Sequence, residues 1–395
     1  MPRIKTLVIV LAGGAGGRLE LLTKERAKPA VPFAGTHRLI DFPLSNAHNS
    51  GLEDVWVAQQ FNPISLSDHL ANGRPWDLDR TVGGLLILQP RLGHDEREGF
   101  QKGTADSLWR NAPLVREFGP DAVVVVSADA VYAMDYGGLV EEHMDSDAAV
   151  TIVTTEVDPE DAARYGVVQV DGERVREYVY KPDDPATNVV ANEVFAFRPA
   201  PLLDTLDELA EQAGEEGLED LGDELLPRLV DAGAARAHAF GGYWRDVGTV
   251  EAYWTCHQEL LEDPPPIDLD DQDWPVLTHA AARRASARVL PGAEVERSLL
   301  APAATVAGTV ASSVIGRGAL VERGAVVRDS VLMPGTVVRA GATVARAILD
   351  DHVEVCGDAT VGEQDGDIAL VGLKATVAAG EAIAAGARFP ETDDD

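Results

Sequence analysis

Two cysteines in 395 residues, Cys256 and Cys356, are too few for a disulfide framework, and neither has a His or Cys neighbour at metal-ligand spacing. Both read as buried or incidental thiols. Basic residues are scarce as well: 33 Lys plus Arg stand against 66 Asp plus Glu, a formal net charge of −33. So acidic a surface repels phosphate backbones, which argues against a nucleic-acid partner. Any anionic substrate must meet a local basic pocket set against that field. Adaptation to salt would leave the same surplus of acids, and composition does not decide the matter. Long apolar runs are missing too. The longest, residues 7–12, is far short of the roughly 20 residues of a membrane span. It is strand-length and opens into glycines rather than a cleavage site, so a cytoplasmic protein without membrane contact is expected.

What is present suffices for a large core. A hydrophobic fraction of 45% excludes disorder for most of the chain. At about 150 residues per domain, the length argues for more than one. In the first two-thirds, short Val- and Ile-rich runs at 7–11, 54–58, 122–127 and 149–155 alternate with amphipathic stretches such as 104–117. That pattern predicts an α/β domain with a mostly parallel sheet covered on both faces, and ligands beyond the carboxyl ends of its strands.

Composition shifts over residues 262–275, where Pro264, Pro265 and Pro266 and a cluster of acids suit an extended linker. Beyond it, aliphatic residues recur every six positions at Ile315, Val321 and Val327. After a slip of one they return at Leu332, Val338 and Val344, and after another at Leu349, Val355 and Val361. Gly318-Ala319, Gly324-Ala325, Gly335-Thr336 and Gly341-Ala342 sit in matching places. A hexad of aliphatic residue plus Gly-small turn predicts a parallel β-helix, and such solenoids commonly stack on copies of themselves. The expected division is a catalytic domain over 1–262, a Pro/Asp-rich linker over 263–285, a β-helix over 286–390 for assembly or regulation, and an acidic tail over 391–395.

The first strand runs straight into Leu11-Ala12-Gly13-Gly14-Ala15-Gly16-Gly17-Arg18. Glycines here let backbone N–H groups approach a phosphate chain, and Arg18 can pair with its oxygens. A tight strand–helix turn would use the same residues. No Gly-Lys-Ser/Thr follows, so this is not a Walker loop, and the spacing does not fit Gly-x-Gly-x-x-Gly. Lys24, Arg26 and Lys28 then place three cations close together in an otherwise anionic chain, the local reversal of field an anionic substrate needs. A solvated charge run is the competing reading, but residues 29–33 are too apolar for a freely exposed loop.

These segments, with Arg26-Ala27-Lys28-Pro29-Ala30-Val31-Pro32-Phe33 and Arg38-Leu39-Ile40-Asp41-Phe42-Pro43-Leu44-Ser45-Asn46, resemble the bacterial glucose-1-phosphate adenylyltransferase family. Gly103-Thr104-Ala105-Asp106, Ala128-Asp129, Lys181-Pro182 and Trp244-Arg245-Asp246-Val247-Gly248-Thr249 extend the likeness across almost the whole chain. The resemblance implies a Rossmann-like nucleotidyltransferase domain followed by a left-handed parallel β-helix. It also implies attack of a sugar 1-phosphate on the α-phosphorus of a nucleoside triphosphate, ATP being the first expectation, with loss of pyrophosphate. Two polyanions must meet, so such a site needs a divalent cation and basic side chains. By the same likeness Mg²⁺ lies on Asp129 and Asp246, Arg18 and Lys28 serve the triphosphate, and Lys181 the sugar phosphate. Leu11, Ala12, Gly13, Gly14, Gly16, Gln59, Gly103, Thr104, Ala105 and Asp106 surround the nucleotide. Gln101, Gly166, Tyr180, Ala191, Asn192 and Glu193 border the sugar. The family further implies a homotetramer or homodimer and small-molecule effectors, for which Lys28 and nearby arginines are candidates.

Four departures from the family pattern stand out. Tyr180 replaces a Glu before Lys181-Pro182, Gln101 replaces an aromatic, Ala191-Asn192-Glu193 replaces Ser-Met-Gly, and Ala130 replaces a His. The first three belong to the sugar pocket. Losing a carboxylate that reads sugar hydroxyls is costly. Either Glu193 restores it from the opposite strand, or the acceptor is a cyclitol 1-phosphate of the pseudo-sugar kind. A non-catalytic regulatory subunit is the third reading; the retained Arg18, Lys28, Asp129, Lys181 and Asp246 argue against it.

Overall fold

A computed structural model describes residues 3–14, 16–90, 99–279 and 285–391. Ala15 of the glycine run, residues 280–284 of the expected linker and residues 392–395 of the acidic tail lie outside the described residues. Nine strands form one sheet in the order Gly84–Leu88, Asp54–Gln59, Thr6–Ala12, Ala122–Ser127, Val189–Phe197, Val150–Glu156, Ala235–Ala239, Arg174–Tyr180, Gly166–Asp171. Alternation decides the two faces. Leu7 and Ile9 of the first strand join the core beneath helices Thr104–Phe118, Pro199–Ala213 and Leu225–Asp231. Val8 and Val10 point the other way, beneath Asp41–Asn49, Pro63–Leu70 and Tyr136–Met144.

The parallel arrangement holds for the half that carries the glycine run, where Thr6–Ala12 lies parallel to both Asp54–Gln59 and Ala122–Ser127. The other half is mixed. Val189–Phe197 runs antiparallel to both of its long neighbours, and Gly166–Asp171 returns through Gly172 (φ +62) and Glu173 to pair antiparallel with Arg174–Tyr180. A two-residue Gly-containing turn makes a hairpin, which no crossover helix can replace.

Residues 288–389 wind into three six-stranded parallel sheets, the faces of a β-helix. Ile315 stacks on Leu332, Leu332 on Leu349 and Leu349 on Val371, so each slip in the hexad rhythm is the same corner in a successive coil. All nine in-phase aliphatic side chains are fully buried in one axial core. Gly318, Gly324, Gly335 and Gly341 take left-handed φ at the corners, where a side chain would be strained.

The proline-rich segment is strapped down. Trp274 Nε1 donates to Asn46 Oδ1 (2.9 Å), Asn49 donates to the Pro275 carbonyl (3.1 Å), and Ser45 Oγ accepts from Leu277 N–H (2.8 Å). The Ser45-Asn46 motif therefore anchors a chain segment more than two hundred residues away. No helix of the described residues is long and apolar enough to cross a membrane.

The β-helix also docks on the sheet domain through a shared core that includes Leu19, Leu22, Phe33, Tyr253, Val331, Ile348 and Leu370. Within this seam Arg26 pairs with Asp350 at 2.7 Å and with Asp351 at 3.5 Å; the Arg26 and Asp350 side chains are 7% and 1% exposed. One cation serves two carboxylates, of which Asp350 is fully buried and the Asp351 side chain is 20% exposed. Burial outweighs the share of Arg26 that Asp350 receives, and its carboxyl is pushed up to about 6. A carboxyl raised in the fold binds a proton that the unfolded chain releases, so this group costs stability as pH climbs through roughly 4 to 6. The thermal midpoint of Asp350→Asn should accordingly gain on that of the native chain as pH rises from 4.5 to 7. A constant difference between the two melting curves would refute this.

Candidate active site

Beyond the carboxyl ends of the parallel strands opens a cavity of about 690 Å³. Its wall combines Leu11, Gly13, Gly14, Gly16 and Arg18 from the first strand and its loop with Gln101, Gly103 and Thr104 at the start of helix Thr104–Phe118. Across from them stand Tyr178, Tyr180 and Glu193 on the antiparallel strands. The size suits two small ligands bound side by side.

Asp129 lies just past the end of Ala122–Ser127, where the Ser127 hydroxyl donates to its carboxylate. Asp246 reaches the same place by a two-stranded ladder: Trp244–Asp246 pairs with Ala130–Tyr132, setting Asp246 against Ala130, and Val247 N–H donates to the Asp129 carbonyl at 3.0 Å. Lys28 Nζ sits between them, 2.5 Å from Asp129 and 3.8 Å from Asp246. The motif glycine follows from this crowding, since a Cβ at Gly248 would fall 2.7 Å from Asp246 Oδ2 and 3.3 Å from Arg18 Nη2. Thr249 then caps helix Val250–Glu259, its side chain accepting from Ala252 N–H.

Charge is distributed unevenly here. Burial alone would lower the pKa of Lys28, but Asp129 and Asp246 offset that and hold it above the usual lysine range. Burial likewise favours neutral Asp129, yet the close Lys28 ammonium keeps it below the usual carboxylate range. Asp246, farther from Lys28, is pushed up by burial and then by Asp129. Glu193 is pushed up to about 7 by burial and by both aspartates. Its backbone is left-handed (φ 62) within a bulge, where the pairing with Val150–Glu156 shifts register between Ala191 and Phe195. A glycine would take that conformation freely; a glutamate holds it at a cost of about 1–3 kcal/mol, the kind of strain found at functional sites.

The other expected residues divide into two groups. Arg18 faces the cavity with no hydrogen-bond partner among the described residues. The start of helix Thr104–Phe118 is clamped from outside: Ala105 N–H donates to the Glu219 carbonyl at 2.9 Å, and Thr104 N–H and Oγ1 donate to Asp220 Oδ1 at 3.0 and 3.1 Å. Asp106 is buried and accepts from Arg110. Ala12, Ala191 and Asn192 are buried outside the cavity wall, and Gly166 lies against the Tyr178 ring. Lys181 is exposed at the rim, its Nζ 2.6 Å from the Tyr180 hydroxyl, which in turn donates to Asp220 Oδ2 at 3.1 Å.

Gln59 is misplaced by the sequence reading. Its side chain is buried on Ser67 (3.1 Å), outside the cavity, while the next residue, Gln60, lines it and exchanges bonds with the Gln101 backbone. Successive strand residues face opposite ways, and nothing in the sequence says which of two adjacent glutamines faces the ligand. Ser127, Tyr178 and Asp220 were also missed. Only Ser127, the last residue of the strand that ends before Asp129, carried a local signal.

Asp129 and Asp246 fit a divalent ion that takes the rest of its shell from phosphate and water. No cluster of three or more His, Cys, Asp or Glu arranged to hold a metal occurs among the described residues.

Known proteins agree with this layout. Residues 7–263 match the nucleotidyl transferase family and residues 282–369 the GlmU-like C-terminal hexapeptide family. A glucose-1-phosphate adenylyltransferase of Thermomicrobium roseum is 42% identical over 362 residues, 91% of this chain and 83% of the relative. Those of Thermotoga sp. strain RQ2 and Bacillus thuringiensis strain Al Hakam are 41% and 36% identical, covering 82% and 90% of this chain and 76% and 94% of theirs. With a nucleotidyl transferase sheet, a hexapeptide β-helix and likeness of this extent, the chain belongs to the glucose-1-phosphate adenylyltransferase family.

Proposed function

We propose that the protein transfers AMP from ATP to glucose 1-phosphate and releases pyrophosphate, with Mg²⁺ as the divalent ion. The observation that carries this reading is the meeting of Lys28, Asp129 and Asp246 at the strand ends, directly beneath the glycine run. Arg18 and the loop N–H groups face the triphosphate, and Lys28 keeps a cation where the reacting phosphates converge. Asp129 and Asp246 are the residues that would hold Mg²⁺, which would offset the charge of the triphosphate and of the departing pyrophosphate. An acceptor phosphate oxygen forms the new bond to the α-phosphorus as the α–β bridging P–O bond breaks, and the electron pair leaves with pyrophosphate. The acceptor is already anionic, so no general base is required. Glu193 takes over the reading of sugar hydroxyls that a carboxylate at position 180 would perform, while the Tyr180 ring forms the wall against Gly222, where a Cβ would lie 2.3 Å from it.

Residues 1–262 serve catalysis in this proposal. The β-helix of 286–390 assembles two or four copies in the cytoplasm. Arg26 and Lys28, candidates for an effector site, are both engaged in ion pairs, so an anionic effector would have to displace carboxylates to reach them.

Pyrophosphate release measured for several triphosphates against glucose 1-phosphate and a cyclitol 1-phosphate tests the proposal. ATP with glucose 1-phosphate should give the highest kcat/KM. A hundredfold preference for the cyclitol, about 2.7 kcal/mol, would transfer the assignment to pseudo-sugar chemistry; no turnover with any pair would favour a regulatory subunit.

A further inference from the structure

The far side of the phosphate loop rests on the last coil of the β-helix. Residues 16–23 form a closed turn: Leu19 N–H donates to the Gly16 carbonyl at 2.9 Å, and Thr23 Oγ lies 2.8 Å from that oxygen and 3.2 Å from the Glu20 carbonyl. A Cβ on Gly16 would fall 2.9 Å from the Thr23 methyl, so the turn is packed shut. One side presents Arg18 to the cavity. The other presents Glu20, whose backbone (φ 51, ψ −121) is left-handed and foreign to a residue with a side chain.

What holds Glu20 there is Arg388, on the strand Arg388–Phe389. Its Nη2 donates to Glu20 Oε1 at 3.0 Å and its Nε to Oε2, a two-pronged pair. The guanidinium is itself fixed, Nη1 donating to the carbonyls of Ile368 (2.8 Å) and Gly386 (3.0 Å). Beside it Leu21 packs against Gly372, where a Cβ would stand 3.4 Å from Leu21 Cδ1. An exposed ion pair of flexible side chains contributes little. This one joins a preorganised arginine to a strained residue two positions from Arg18.

We propose that the Glu20–Arg388 pair is a positioning device through which the β-helix sets Arg18 against the donor's phosphates, so that the hexad domain completes the nucleotide half of the site. The proposal rests on the nucleotidyltransferase reading, because it takes Arg18 to face a triphosphate.

The test compares full-length native protein with Arg388→Gln, Glu20→Gln and the reversed pair Glu20→Arg/Arg388→Glu, reading ATP affinity by calorimetry, KM for each substrate, and the thermal midpoint. Each single variant should weaken ATP binding and raise its KM about tenfold, with kcat and the KM for glucose 1-phosphate nearly unchanged. The reversed pair should recover part of the loss. Unaltered ATP affinity in both single variants would overturn the proposal. So would a loss spread equally over both substrates together with a fallen midpoint, the pattern of mere domain docking. Failure of the native protein to bind any triphosphate would instead remove the nucleotidyltransferase reading, and the positioning role with it.

Discussion

Asp129→Asn should lower pyrophosphate release by at least about a hundredfold, equivalent to about 2.7 kcal/mol of transition-state stabilisation, while the thermal midpoint moves little. The amide keeps the shape and the bond from Ser127 but loses the charge that would hold the metal. Stability is spared because Lys28 is not orphaned: Asp246 remains 3.8 Å away, and Asp129 is less deeply enclosed than a core residue, its side chain 22% exposed. Steady-state pyrophosphate release and a melting curve on the same preparation check both halves. Activity above about a tenth of native would show that Asp129 does not hold the metal, since a lost ligand costs several kcal/mol.

The largest effect on stability is expected at the seam between the two units. Arg26→Met removes the only cation that Asp350 meets at hydrogen-bond distance among the described residues and leaves a fully buried carboxylate without that counter-charge, beside a second carboxylate on Asp351. Breaking a buried pair from one side typically costs about 3–5 kcal/mol, which lowers the midpoint by on the order of 10 °C in a unit of this size. The penalty belongs to the stranded charge, so Arg26→Met/Asp350→Asn should be more stable than Arg26→Met alone. Calorimetric melting of both variants at pH 7.5 separates the outcomes. A double variant no better than the single one would mean that Arg26 stabilises the seam by packing and not by charge.

Much of the architecture was legible because two periods are written plainly in the residues. Leu7 and Ile9 against Val8 and Val10 is the alternation of a strand buried on both faces, and nine aliphatic positions in hexad phase could only line one axis. The mostly parallel sheet was legible, but its antiparallel hairpin was not, because a two-residue return at Gly172 and Glu173 is a short local signal inside a long Val-rich pattern. That the extended linker is strapped down over 274–277 was not legible, because its anchors, Ser45 and Asn46, lie at the other end of the domain.

The candidate site shows the same division. By itself the sequence determined which side chains are available: a glycine run after an apolar strand, a cluster of cations in an acidic chain, an aspartate just beyond a buried strand. Each is a local pattern, set by backbone sterics and by burial of neighbouring residues. Only the tertiary structure decided that Asp246 stands beside Asp129 with Lys28 between them, that Gln60 and not Gln59 faces the cavity, and that Arg388 reaches Glu20 from the far end of the chain. These are contacts between segments distant in sequence. They form because the sheet order and the docking of the β-helix bury shared apolar surface, and charged groups carried to that seam must find partners there or pay for desolvation.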